Sequence, residues 1–328
     1  MPLIAQSPRS RIILGLMTFG PKSESGARIT DLDTFNRALD VFQARGYNEV
    51  DTARIYVGGE QEAFTRQAGW KERGLTLATK VRYPANPGDN AADKVVKSVE
   101  TSLKELGVDC VDAGKFVRLG LSNFAAFEVA EVVMTCTSKG WVRPTVYQGM
   151  YNVITRNLEP ELFVACRRYG LDIVVYNPIA GGLFSGKVRS KDMVPESGRF
   201  SDKTPMGGMY RQRDFREGTF RSMQVIEAAV EKHGLSMIET ALRWMVHHSK
   251  LQIKEGADGI LIGVSSVEQL EDNLENLEKG PLPEDVVRAL DEAWMISKAE
   301  SANYWHGELE YGYDTREALF GGATRRTV

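Results

Sequence analysis

The stretch DTARIY places a carboxylate, Asp51, shortly ahead of a phenol, Tyr56, and the stretch LATKV supplies an ammonium, Lys80. An ammonium held beside a phenol favours the phenolate and draws down a pKa that starts at about 10. A carboxylate paired with that ammonium would keep it in place. A phenol tuned in this way can give its proton to a carbonyl oxygen as hydride reaches the carbon, which is general acid catalysis. Taken singly, the three residues also fit a plainer reading, because a strand-end Asp often serves as a cap or a salt-bridge partner.

These side chains need strand ends to hold them, and the chain offers strands at a regular interval. Short apolar runs at 12–16, 49–53, 75–81, 109–112, 116–121, 145–149, 172–177 and 259–264 alternate with amphipathic segments. That alternation is the signature of β-α units around a parallel sheet. Helical periodicity is plain in TDLDTFNRALDVFQARG, with Thr30 or Asp31 as cap and Phe35, Leu39 and Phe42 on one face. It recurs in DKVVKSVETSLKELG, AFEVAEVVMTCTSKG, EPELFVACRRYG, RSMQVIEAAVEKHG, SMIETALRWMVHHS and VEQLEDNLENL. Eight strands with helices between them predict one (β/α)8 TIM barrel spanning residues 1–328, in which chemistry gathers at the C-terminal ends of the strands. The residues from about 299 onward read as a tail packing near that face. The longest irregular stretch, 184–218, is rich in Arg and Lys and suits either an anionic ligand or a solvated loop.

Composition narrows the field. The 328 residues are 42% apolar and 26% charged, enough for a large core, and a net charge of -3 gives no electrostatic case for nucleic acid or an anionic membrane surface. Cys110, Cys136 and Cys166 are an odd set without metal spacing and read as buried thiols in a reducing compartment. No apolar run approaches the roughly 18 residues of a membrane span, and the apolar run at 12–17 reads better as a first strand than as a signal segment. The expected location is the cytoplasm.

The stretches GLMTFG, DTARIY, ATK, GLSNF, PTVYQGMYN, YNPIAGGLFSGK, GRF, ALRWMVHHS and GVSSVEQLEDN occur in an order that resembles the aldo-keto reductases, nearest their aflatoxin-aldehyde-reductase branch, from about Leu14 to Trp305. The resemblance implies an NADPH-dependent barrel that reduces an aldehyde or ketone, with Tyr56 as general acid and Lys80 and Asp51 tuning it. It implies that Ser122, Asn123 and Gln148 hold the nicotinamide carboxamide and that Tyr176 stacks on the ring. Asn177 through Lys187, with Pro178, Gly181, Gly182, Leu183 and Ser185, match the loop strapping the pyrophosphate. Arg199, Ser265, Gln269 and Asn273 match the residues around the adenosine and its 2′-phosphate. Ser265 and Ser266 precede a predicted helix N-terminus, which suits an anion. A small carbonyl compound is the implied partner, and a homodimer is compatible with it. A role in aldehyde detoxification or secondary metabolism fits equally.

One segment breaks the pattern. Only Ala113, Gly114 and Lys115 separate the strand-like segments 109–112 and 116–121, whereas a parallel crossover needs about a dozen residues. In relatives, a full fourth strand ending in a catalytic histidine, followed by a helix, fills this place. None of His233, His247, His248 and His306 matches that histidine. The sharp boundaries fit an omitted exon better than a natural variant. The barrel is therefore expected to be incomplete around its fourth unit. Besides a working reductase, the sequence admits an NADPH-binding protein with impaired catalysis. A P-loop hydrolase is a remote third reading: Gly181 to Lys187 fit G-x-x-x-x-G-K, but Val188 stands where Mg²⁺ binding needs Ser or Thr.

Overall fold

The computed structural model describes residues 10–81, 88–89, 91–109, 116–203, 206–253, 258–305 and 309. Seven parallel strands form one sheet: β1 (Arg11–Gly15), β2 (Glu49–Asp51), β3 (Thr76–Ala78), β4 (Gly120–Ser122), β5 (Val146–Met150), β6 (Asp172–Tyr176) and β7 (Gly259–Gly263). Their order is β3-β2-β1-β7-β6-β5-β4. Ten helices accompany them among the described residues: α1 (Leu32–Ala44), α2 (Gln61–Gln67), α3 (Ala92–Leu106), α4 (Ala126–Lys139), α5 (Leu162–Tyr169), α6 (Gly207–Asp214), α7 (Glu217–Glu231), α8 (Met237–His247), α9 (Val267–Glu278) and α10 (Glu284–Ser297).

The sheet curls. Gln148 on β5 reaches Asp51 on β2 with a 2.9 Å hydrogen bond, although three strands lie between them in the sheet order. This is a (β/α)8 barrel lacking one unit, with β3 and β4 as the strands that flank the opening. The interior strands are buried as parallel strands require: Ile12 to Gly15 of β1 and Ile173 to Val175 of β6 are covered on both faces. At the edges this fails, since Thr76 and Ala78 of β3 and Gly120 of β4 are exposed.

Local sequence accounts for most elements. Asp31 caps α1 by accepting a 2.7 Å bond from the Thr34 amide, and Phe35, Leu39 and Phe42 face the core. Ser236 caps α8 and Ser266 caps α9 in the same way. The amphipathic helix α3 departs from this rule. Val95, Val96 and Val99 form its apolar side, yet none of them is buried, and its covered residues are confined to Ser102, Leu103 and Leu106 near the C-terminus. The strand that would lie beneath the first half of α3 is the one missing from the sheet.

The described residues contain seven strands, and the predicted strand 109–112 lies, apart from Asp109, outside them. Two expectations need correcting. The predicted strand 116–121 begins only at Gly120, and Phe116 and Val117 are exposed, with no strand beyond β4 on that side among the described residues. The stretch 184–218 is not wholly irregular, for it contains α6 and the start of α7.

Supplying the missing unit should change stability directly. A strand-and-helix segment from a relative, inserted between Asp112 and Ala113, is expected to raise the thermal midpoint and sharpen the urea transition, because β3, β4 and α3 would gain a buried neighbour. Identical midpoint and slope in the two proteins would show that the open wall carries no cost.

Candidate active site

The site is assembled where β2 and β3 end. Asp51 closes β2 and is buried, and its Oδ1 accepts a hydrogen bond from Lys80 Nζ. Lys80 also donates to the Thr52 carbonyl at 2.7 Å, and Gln148 Nε2 donates to the other Asp51 oxygen. Lys80 Nζ lies 5.1 Å from the centre of the Tyr56 ring. The three residues read from the sequence therefore converge.

Their electrostatics differ from the simplest expectation. Burial pushes the Tyr56 phenol above its ordinary value, and although Lys80 pulls the other way it does not offset the burial. Burial also works against the Lys80 charge, but Asp51 and then Tyr56 more than compensate, so Lys80 titrates above its ordinary value and is held as an ammonium. Tyr56 is thus a proton-bearing phenol facing a fixed positive charge.

The turn carrying Tyr56 is itself tightly determined. Val57 adopts φ 50° and ψ 49°, a left-handed conformation that costs a β-branched residue energy, and Gly58 and Gly59 continue with positive φ. Val57 persists there because it is buried against Gly20, where a Cβ would lie 2.9 Å from both valine methyls. This explains the stretch GLMTFG: Thr18 donates to the Val264 carbonyl, Phe19 packs on Phe35 with ring centres 4.7 Å apart, and Gly20 leaves room for Val57.

The remaining residues read from the sequence fall along the strand ends from β4 to β7. Asn123, at positive φ after β4, accepts a 2.9 Å bond from the Tyr176 hydroxyl at the end of β6. Ser122 closes β4 beside Gln148 of β5, with which it is in register. Gln148 is thus committed to Asp51 as well as standing near Ser122 and Asn123. Burial raises the Tyr176 phenol, with Arg213 opposing it.

After Tyr176 the backbone turns sharply. Asn177, Ala180, Gly181, Gly182 and Gly186 all have positive φ, and the Asn177 side chain accepts from the Gly181 amide. Pro178 and Leu183 are buried, so Leu183 offers the site only its backbone, while Ser185 and Lys187 are exposed. No helix follows Lys187 before Gly207, which removes the P-loop reading. Arg199 is held by the Tyr210 hydroxyl at 2.9 Å and lies 5.1 Å from that ring. Ser265 and Gln269 are joined at the N-terminus of α9, where the Ser265 amide donates to Gln269 Oε1 at 2.9 Å. Asn273 is buried one turn further along α9.

Two groups escaped the sequence reading. Tyr210, Arg213 and Asp214 of α6 lie close enough to Tyr176 to affect its charge, with Arg213 paired to Asp214 and stacked 4.4 Å from the Tyr210 ring. Their signal was the basic stretch read as an anion loop. Arg54 and Glu62 form a pair beneath the Tyr56 turn. Arg54 stands inside DTARIY itself, but Glu62 lies on α2, a helix without a clear period. The three described histidines are engaged elsewhere: His233 with Asp285, His247 with the Lys279 carbonyl and His248 with the Leu282 amide. His306 lies outside the described residues. The tail residue Tyr304 accepts from the Ala126 amide and donates to Glu161, at the N-terminal ends of α4 and α5. A cleft of about 650 Å³ lined by Arg156, Arg167 and Trp294 is separate from these residues, and its two arginines are already paired with Asp291 and Asp258.

Tyr56, Lys80 and Asp51 thus stand together at the strand ends of an open (β/α)8-type barrel. The profile of the Aldo/keto reductase family matches residues 11–115 and 109–295. The chain belongs to that family. The two matched stretches meet at the junction where a unit is missing. Aflatoxin B1 aldehyde reductase member 2 of Homo sapiens is 38% identical over 332 residues, covering 91% of this chain and 90% of the human protein. An aldo-keto reductase of Pseudocercospora fijiensis is 37% identical over 295 residues, 81% of this chain and 99% of its own length. Aldo-keto reductase pigE of Monascus ruber is 35% identical, covering 92% of this chain and 99% of its own. The first two alignments are longer than the part of this chain they include by roughly 30 residues, the size of one βα unit.

The support beneath Tyr56 gives a direct test. Gly20→Ala should destabilise the protein by about 1–3 kcal/mol, because the new methyl meets Val57. Adding Val57→Ala should recover part of that loss in urea titrations. If Gly20→Ala alone is neutral, the close approach does not constrain the turn.

Proposed function

We propose that this chain reduces an aldehyde or ketone to an alcohol with NADPH as hydride donor, Tyr56 acting as the general acid. The observation that carries this reading is the Asp51-anchored ammonium of Lys80 lying 5.1 Å from the Tyr56 ring. Tyr56 holds its proton at neutral pH and can donate it to a carbonyl oxygen. The Lys80 charge stabilises the phenolate left behind, and Asp51, itself held by Gln148, keeps that charge from swinging away.

The residues present suit a nicotinamide dinucleotide phosphate. Gly182 and Gly186 both have positive φ and nothing within 4 Å of where a Cβ would lie, so the backbone there is open to a close-approaching phosphate. Lys187 and the N-terminus of α9 supply positive potential, and Arg199 is held ready for a 2′-phosphate by Tyr210. Ser122, Asn123 and Gln148 would meet the carboxamide, Tyr176 the ring face, and Gln269 and Asn273 the adenosine. When bound, the cofactor supplies the hydride.

An aldehyde is the favoured substrate class, supported by the relatives named as aflatoxin B1 aldehyde reductases, and detoxification or secondary metabolism is the corresponding role. A cytoplasmic location, possession of a single domain and assembly as a homodimer complete the reading. The net charge of -3 and the absence, among the described residues, of a helix able to cross a membrane are compatible with it.

A second reading is favoured by one observation: no described histidine stands near Tyr56. Without a second donor the carbonyl is held only by Tyr56, and a misplacement of about 1 Å can cost on the order of a hundredfold in rate. The chain as it stands is expected to bind NADPH while turning over well below about 1 s⁻¹, a modest rate for an enzyme.

Tyr56→Phe should abolish the remaining carbonyl reduction while leaving NADPH affinity within about twofold, since the hydroxyl acts in the transition state, and Lys80→Met should lower the rate. Steady-state assays with an aromatic aldehyde, run beside fluorescence titration, check this. Full activity in Tyr56→Phe would move the acid elsewhere.

Cofactor preference offers an independent check. Arg199→Met should cut the preference for NADPH over NADH by about tenfold or more, as expected for losing a charged hydrogen bond. Equal affinity for both cofactors in the unsubstituted chain would remove the 2′-phosphate assignment.

A further inference from the structure

The Tyr56 turn and the Lys80 segment belong to different strands, and in this barrel β3 has a strand neighbour on one side only among the described residues. Beyond the regular ladder, and besides the bonds from Lys80 Nζ to Asp51 and to the Thr52 carbonyl, three further links join the two. The Thr52 amide donates to the Ala78 carbonyl at 2.8 Å, and the Arg54 amide donates to the Lys80 carbonyl at 3.0 Å. The third runs through a side chain. Glu62 is fully buried; its Oε2 accepts from Arg54 Nη1 and its Oε1 accepts from Thr79 Oγ1 at 2.7 Å. Arg54 in turn donates through Nη2 to the Gly59 carbonyl, the far end of the left-handed turn that carries Tyr56.

We propose that Glu62 is the positioning residue that sets the distance between Tyr56 and Lys80, gripping the Tyr56 turn through Arg54 and the Lys80 segment through Thr79. The proposal rests on the reading of Tyr56 as the acid. A carboxylate taken fully out of water is tolerated only when its oxygens are paired, and both oxygens of Glu62 are used here. Each bond ends next to a reacting group: Thr79 adjoins Lys80, and Arg54 brackets Tyr56 from both sides through its own amide and Gly59. In a closed barrel a fourth strand would hold β3 from its outer edge. In this chain that support is absent from the described residues, and the Glu62 clamp takes a larger share of keeping Lys80 against Tyr56.

The experiment uses the full chain with 3-fluorotyrosine at position 56, so that fluorine NMR follows the ionisation of this one phenol without needing turnover. The charged or titratable groups facing Tyr56 are Lys80, Asp51, Tyr210 and Tyr176. Glu62→Gln keeps the shape and the acceptor for Thr79 but loses the charge that holds Arg54. Lys80 then retreats, its stabilisation of the phenolate weakens, and the midpoint should move to higher pH, as it should in Lys80→Met. In turnover assays the same variant should lose about ten- to a hundredfold in kcat with the NADPH Kd within twofold.

The double variant Arg54→Met/Glu62→Met separates positioning from folding. Replacing a buried pair by apolar side chains can restore stability, so its thermal midpoint should approach that of the unsubstituted chain while the Tyr56 midpoint stays raised. An unmoved Tyr56 midpoint in Glu62→Gln, or a normal one in the double variant, overturns the proposal. If the unsubstituted chain binds NADPH without any turnover and the midpoint still shifts, the reductase reading fails while the clamp stands.

Discussion

The pairing of the Asp51 carboxylate with the Lys80 ammonium is the constraint on which this site depends. Both groups are largely removed from water, Asp51 almost completely. A buried carboxylate with one oxygen on an ammonium and the other on the Gln148 amide has little freedom to move. Lys80 is consequently fixed as a cation, which a phenol must have beside it if it is to lose its proton while buried. Tyr56 feels burial and that cation in opposition, and burial is the stronger. The arrangement keeps the proton on Tyr56.

Because Asp51 belongs to β2, Lys80 to the end of β3 and Gln148 to β5, the pair also bridges the curled sheet. That bridge matters more here than in a closed barrel. Among the described residues no strand stands between the free edges of β3 and β4, and the exposed residues on both edges, together with the incompletely covered valines of α3, mark the place where a βα unit is missing. On the β4 side the chain is retained by other means. Arg118 donates to the Thr145 carbonyl at 2.8 Å and pairs with Asp172 at the start of β6, anchoring the entry to β4. On the β3 side, Lys80 on Asp51 and Thr79 on Glu62 perform the corresponding task.

Much of this was legible in the sequence because its causes are local. The alternation of apolar runs with helical periods comes from the two repeat lengths of strand and helix, and it located β1, β2, β5, β6 and β7 within a residue or two. Asp31 and Ser266 announce helices because a short polar side chain there can satisfy an amide of the first turn. The gap at Ala113 was equally plain, since three residues cannot carry a chain from one parallel strand to the next. Asp51, Tyr56 and Lys80 could be singled out because each stands at a predicted strand end or in the loop beyond it.

What the sequence did not contain were the consequences of bringing distant segments together. The helix α2 carries Gln61 and Glu62, polar residues that are fully buried, so its pattern does not look amphipathic; only the arrival of Thr52, Arg54 and Thr79 makes that burial tolerable. The short extent of β4 goes with its place at the edge of the sheet, with a strand on one side only among the described residues, which the residues 116–121 do not themselves announce. The raised pKa of Tyr56 likewise depends on how much surface the fold removes from water, a quantity no spacing reveals. The sequence by itself determined the order of elements, the residues that meet at the ends of β2 and β3, and the shortened crossover, because those rest on local periodicity and chain length. Only the tertiary structure decided which buried charges meet and which edges stay bare, because pairing and burial depend on three-dimensional proximity between residues far apart in the chain.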